Sequence, residues 1–64
     1  MKAKELRLKS LSELFKLLAE ERKKLFNLKI EKSLKKLNKP HLLKLTKKNI
    51  ARILTVINEK QRNG

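Results

Sequence analysis

One proline divides this chain. Leu37-Asn38-Lys39-Pro40 is the only break in a sequence whose apolar residues otherwise recur at three and four positions, the period of a helix. Proline cannot continue a helix from the preceding turn. It lacks an amide hydrogen, and its ring meets the carbonyl four residues back; it also pushes Lys39 toward an extended conformation. At the first position of a new helix it is favourable. So one helix ends near Lys36 and the next starts at Pro40, and a connection this short makes them antiparallel neighbours.

The second helix, about residues 40–60, organises the rest. Leu43, Thr46, Ile50, Ile53 and Ile57 form one stripe, which Leu42 and Leu54 widen. Lys44, Lys47, Lys48 and Arg52 fall outside it. The helix therefore has an apolar face suited to a partner helix and a basic face suited to an anion.

The first long helix, about residues 10–36, opens on Ser10-Leu11-Ser12-Glu13, a capping-box pattern in which serine accepts from the amide three residues on. Apolar positions follow at Leu11, Leu14, Phe15, Leu18, Leu25, Phe26, Ile30, Leu34 and Leu37. Glu20 to Lys24 interrupt them, with Arg22 near the stripe centre, its stem covering apolar surface and its head reaching water or phosphate. The expected core pairs Leu11, Leu14, Leu18, Leu25 and Phe26 with Leu43, Ile50, Ile53, Leu54 and Ile57. Two readings stay open for Leu28, Leu45 and Val56: plain outer surface, or a second contact face for a protein or RNA neighbour. Lys2 to Leu8 forms about two helical turns, with Ala3, Leu6 and Leu8 turned inward. Too short to stand alone, this segment must dock or fray. Gln61 to Gly64 reads as a frayed polar tail. The fold class is thus all-α: an antiparallel two-helix hairpin with a short N-terminal helical segment, a single domain over residues 1–64.

Composition narrows the function. The 64 residues hold 19 Lys plus Arg against 6 acids, a formal net charge of +13. Such a surplus repels itself unless polyanions or salt screen it, and nucleic acid is the commonest partner, an anionic membrane surface the second. The plain reading is a solvated basic surface. With two Phe as the only aromatics, a sheet that stacks bases on aromatic rings is disfavoured. Without Cys, disulfides and thiolate-bound metals are out. No run approaches the ~20 apolar residues of a bilayer span, and no apolar core follows Lys2 and Lys4 to make a secretory signal.

Catalysis is not expected. Asp, Cys, Tyr and Trp are absent, and the single His41 has no neighbouring acid to orient it. One imidazole makes no metal cage. Glu20 and Glu21 point about 100° apart on a helix and form no acid–base pair. A lone glycine at position 64 rules out a Gly-rich phosphate loop. No cofactor is expected.

Phosphate contacts are well supplied. Between Lys29 and Arg52 stand nine Lys or Arg and one acid, Glu31. Lys29, Lys32 and Lys36 share one side of the first helix with Lys35 beside them; Lys39 sits in the turn; Lys44, Lys47, Lys48 and Arg52 line the second helix. The helix start at Pro40 adds free amides. There His41 either donates to a phosphate or base, or caps its own helix turn; Asn27 and Asn49 likewise either meet RNA or face the interface and solvent. With 15 Lys to 4 Arg, point-charge contacts to a folded RNA surface are favoured over bidentate reading of bases.

These residues fall into a known pattern. Met1-Lys2-Ala3-Lys4-Glu5-Leu6-Arg7 looks like the opening of the bacterial-type large-subunit ribosomal protein family numbered twenty-nine. Ser10 through Leu14 matches its Ser-x-x-Glu-Leu helix start. Phe26-Asn27-Leu28-Lys29 resembles its Phe-Asn-Leu-Arg signature, with Lys for Arg. His41 with Leu43, then Lys47-Lys48-Asn49-Ile50-Ala51-Arg52 and Thr55, resembles its closing motif, and Glu59-Lys60 its ending. Family members often carry Gly-Gln-Leu before the turn, where this chain has Ser33-Leu34-Lys35-Lys36-Leu37. The resemblance implies a long helical hairpin with a small N-terminal helix. It also implies a structural constituent of the large subunit, bound to ribosomal RNA near the nascent-chain exit, beside the ribosomal protein numbered twenty-three, where targeting factors and chaperones dock. It places the protein on a cytoplasmic ribosome, with an organellar one left open. The competing reading from charge alone is a basic amphipathic module for an anionic membrane surface or a protein partner, with no aromatic anchor facing lipid to favour it.

Overall fold

A computed structural model describes residues 2–36 and 39–63, the last without its side chain. Three helices follow one another: α1 (Ala3–Arg7), α2 (Leu11–Ser33) and α3 (His41–Asn63). The described residues contain no strand. The molecule is a rod of 44 × 17 × 15 Å, most of whose length is two helices of 23 residues, each about 35 Å long at about 1.5 Å per residue.

The N-terminus of α2 is capped as the sequence predicts. Ser10 is extended at φ −73°, ψ 164°, and its hydroxyl accepts from the Glu13 amide at 3.3 Å. The C-terminus of α2 falls at Ser33, three residues before the expected end. There Lys36 N–H donates to Glu31 C=O at 2.9 Å and Lys35 N–H to Lys32 C=O at 3.0 Å, while Lys35 takes φ +58°. This is the Schellman arrangement, in which a left-handed residue turns the chain and satisfies the last carbonyls. On the far side, Leu42 N–H donates to Lys39 C=O and Leu43 N–H to Pro40 C=O, which starts α3. Leu37 and Asn38, the middle of the expected break, lie outside the described residues. α3 runs on through Gln61 to Asn63, so most of the expected frayed tail is helical.

Leu14, Leu18, Ile53, Val56, Ile57 and Leu6 form one buried cluster, with Leu11, Leu17 and Ile50 packed against it. The early part of α2 therefore meets the late part of α3, and the hairpin is antiparallel. The buried stripe of α3 lies where the sequence places it: Leu43, Thr46, Ile53 and Ile57 are buried and Ile50 is half-buried.

On α2 the stripe differs from expectation. Leu14, Leu18, Glu21 and Leu28 are buried and Leu25 half-buried, spaced four, three, four and three residues apart. Phe26, expected in the core, is 64% exposed. Twelve residues from Leu14, it stands about 120° round the helix from the buried line. Leu54, also expected inside, lies on the flank of α3 and is exposed; Leu28 and Val56, for which an outer position was open, are buried. Glu21, not Arg22, occupies the seam. Leu45 is exposed.

Val56 is buried because α1 crosses α3. Leu6 is 2% exposed and joins the core cluster, Ala3 is half-buried, and Leu8 points out, against expectation, because the short helix has already ended at Arg7. Across this junction the Arg7 guanidinium donates to Glu59 through Nε at 3.1 Å and Nη2 at 3.3 Å, a two-pronged ion pair.

Candidate nucleic-acid interface

Folding the chain at Lys35 to Pro40 brings the end of α2 against the first turns of α3. Between them lies a cleft of about 360 Å³, lined by Lys32, Lys35, Pro40, Leu43, Lys44 and Lys47. Four of the ten expected RNA-binding residues thus converge from both helices on one concavity. None of the described residues that line it is acidic. Its floor is apolar, since Leu43 belongs to the buried stripe. Pro40 and Leu43 were not among the expected contact residues; Leu43 reads as core in sequence, and only the fold shows that its edge also faces the cleft.

The other six stand apart from this cleft. Lys29 is exposed on α2, and Lys36, Lys39 and His41 are exposed around the turn. Lys48, one turn after Lys44, extends the basic face along the exposed side of α3. Arg52 is exposed further along, where it lines a second, smaller hollow of about 160 Å³ with Ala3, Arg7, Ala51, Thr55 and Val56. In the wall of that hollow the Thr55 hydroxyl donates to Ala51 C=O at 2.9 Å. Positive charge therefore lies along one side of α3 and closes around the turn end.

A surface feature unseen in the sequence lies on α2. Phe15, Phe26 and Ile30 are all exposed, and Ala19 with them. Spaced four, seven and four residues apart, they make a second apolar stripe on the helix. The two aromatics therefore face outward, contrary to the expectation that no aromatic anchor is presented.

At the α1–α3 junction the hydrogen bond from Arg7, reinforced by its charge, holds the Glu59 carboxyl below its usual range, partial desolvation opposing; Arg7 is raised in turn. Among the described residues no group of three or more His, Asp or Glu could hold a metal ion, and no helix is long and apolar enough to cross a membrane.

Comparison with known proteins agrees with this architecture. The family model described as "Ribosomal L29 protein" matches residues 4–60. The chain is 56% identical over 64 residues to the large ribosomal subunit protein uL29 of Protochlamydia amoebophila, covering 98% of this chain and 88% of that protein. The uL29 of a Hydrogenobaculum species is 48% identical over 62 residues, 97% of this chain and 94% of that one. That of Acinetobacter baumannii is 45% identical over 64 residues, 100% and 98% of the two. A match across almost the whole helical hairpin, carried by a model and by relatives from distinct bacteria, places the chain in the ribosomal L29 protein family.

Proposed function

We propose that this protein is a structural, non-catalytic constituent of the large ribosomal subunit that binds ribosomal RNA through phosphate contacts. The contacts come from Lys29, Lys32, Lys35, Lys36, Lys39, His41, Lys44, Lys47, Lys48 and Arg52. The observation that carries this reading is the exposure of all ten, with the convergence of four in a cleft whose described lining residues include no acid. Lysine ammonium groups act as point charges, so they position the hairpin on a folded RNA surface and do not read sequence. The apolar core holds the two helices in register.

In the subunit the protein sits near the nascent-chain exit, beside the ribosomal protein numbered twenty-three, where targeting factors and chaperones dock; the ribosome is a cytoplasmic one. The resemblance to the family supports this placement, and the outward stripe of Phe15, Phe26 and Ile30 supplies an apolar surface for a protein neighbour.

The test is sedimentation of the labelled chain with large subunits lacking it, across a salt series. Binding that is tight at low salt and falls steeply as salt rises supports phosphate contacts. Preferential binding to anionic vesicles over ribosomal RNA would instead favour the membrane-surface alternative and defeat the proposal.

A further inference from the structure

We propose that the cleft at the turn end seats a single unstacked nucleotide of the RNA. Its base lies on the Pro40–Leu43 floor, and its flanking phosphates are held by Lys32 and Lys35 on one wall and Lys44 and Lys47 on the other. This inference rests on the RNA-binding reading above and specifies what that site takes.

Three observations carry it. The first is size. At about 360 Å³ the cleft falls within the range of small-molecule sites, roughly 300–1,000 Å³, and is larger than a lone phosphate requires. The second is the division of its lining. Four lysines drawn from both sides of the turn line it together with the exposed ring of Pro40 and a narrow edge of Leu43, so its apolar surface is mainly the proline ring and the lysine stems. A site for phosphate alone gains nothing from an apolar floor, whereas a nucleotide has an apolar base face between two anionic groups. The third is the source of the walls. Lys32 comes from the last turn of α2 and Lys35 from the left-handed residue just beyond it, while Lys44 and Lys47 come from α3. The walls are therefore independent helices, so the cations flank whatever enters and do not merely line one surface.

The same chemistry limits selectivity. In paired RNA the bases are stacked and their faces inaccessible, so a paired helix can offer only its phosphates; bulges and loops can splay a base out. Among the described residues that line the cleft only the four lysines carry hydrogen-bonding side chains, and they donate without a fixed fork. The site therefore distinguishes an unstacked base from a stacked one, but hardly one base from another.

Three RNA hairpins of equal charge density test this with the full chain: one fully paired, one carrying a single-nucleotide bulge, and one with an abasic residue at the bulge. Fluorescence anisotropy at fixed salt is expected to show the bulged RNA bound about two- to fivefold tighter than the other two, below the scale of base–aromatic stacking because the lining carries no aromatic ring. Exchanging the bulged base among A, C, G and U is expected to change affinity less than about threefold, the scale left when no base edge is read. Lys32→Gln with Lys47→Gln, both exposed, should abolish the bulge preference. Lys48→Gln, outside the cleft, should weaken all three RNAs alike. If the abasic bulge binds as tightly as the intact one, the base has no seat and the proposal fails. If the three RNAs bind equally well, the cleft proposal fails while RNA binding stands. If none binds at low salt, the RNA-binding reading falls and takes the cleft with it.

Discussion

Among the described residues two polar side chains are buried along the helix seam, and they are satisfied unequally. The Thr46 hydroxyl donates to Leu42 C=O at 2.7 Å, one turn back, so its 3% exposure costs little. Glu21 is 5% exposed; its Oε1 lies 3.7 Å from the Lys24 ammonium, and its Oε2 has no hydrogen-bond partner. A buried carboxylate oxygen without a donor is a penalty, of about 1–3 kcal/mol for such groups. Glu21→Leu should therefore raise the stability of the free chain by about 1–3 kcal/mol, read as a higher midpoint in urea with an unchanged slope. A lower midpoint would show that Glu21 is satisfied in solution. Ile53, wholly buried in the cluster, behaves oppositely: Ile53→Ala should cost about 2–5 kcal/mol. A third residue couples stability to binding. Lys35 holds φ +58°, a conformation that costs a residue with a Cβ roughly 1–2 kcal/mol and glycine almost nothing. Glycine loses more backbone entropy on folding, so Lys35→Gly should gain a net of about 0.5–1 kcal/mol. It should also weaken RNA binding, because it removes a cation from the cleft. Opposite movements of melting temperature and affinity in one variant check both assignments.

At the scale of elements, α1 is the weakest. Five residues cannot sustain a helix in water, so α1 persists through Leu6 in the core and the Arg7–Glu59 pair. Glu59 has its folded value below its unfolded one. Its contribution is therefore complete above the ordinary carboxylate range and is lost as pH falls through the lowered folded value. Arg7, raised, would lose its contribution only at strongly alkaline pH. Protection of the α1 amides, measured relative to their intrinsic exchange at each pH, should fall in acid before that of α2 and α3, and Glu59→Gln should give the same low protection already at neutral pH. Uniform exchange across the three helices would show that Leu6 alone holds α1. This junction also marks where sequence reading stops. The N-cap at Ser10, the break before α3 and the α3 stripe are local signals, set by a side chain bonding its own backbone or by a repeat of three and four. On α2 the spacing places Leu14, Leu18 and Leu25 on the core side, as found, but it continues the line to Phe26 where the structure continues it through Leu28. Periodicity cannot tell these neighbouring positions apart, because it does not know which line meets α3. The Arg7–Glu59 pair joins residues 52 apart and leaves no local trace. The cleft was half legible: its lysines follow from spacing, its floor from the antiparallel docking alone.

For the molecule as a whole, the net charge of +13 on 64 residues sets two salt dependences of opposite sign. In the free chain, lysines along α3 and around the turn repel one another in the folded hairpin more than in an extended chain. Salt screens that repulsion, with a Debye length near 10 Å at 0.1 M, so the melting temperature of the free protein should rise between about 0.02 and 0.2 M salt. Bound to RNA, the same charges release counterions, and affinity should fall over the same interval. Lys44→Gln with Lys48→Gln, two exposed positions one turn apart on α3, separates the effects. Each lost phosphate contact should reduce the slope of log affinity against log salt by about one, so the double variant should lose about two. Its free-state melting temperature should rise at low salt and meet that of the unaltered protein at high salt, because only repulsion has been removed. An unchanged slope would place the phosphate contacts on another face of the hairpin. An unchanged low-salt melting temperature would mean that these two ammonium groups are already too far from their neighbours to repel. The pair of curves thus asks whether one surface both strains the free hairpin and holds it to RNA, as expected if the charge has its counterpart in a polyanion and not within the chain.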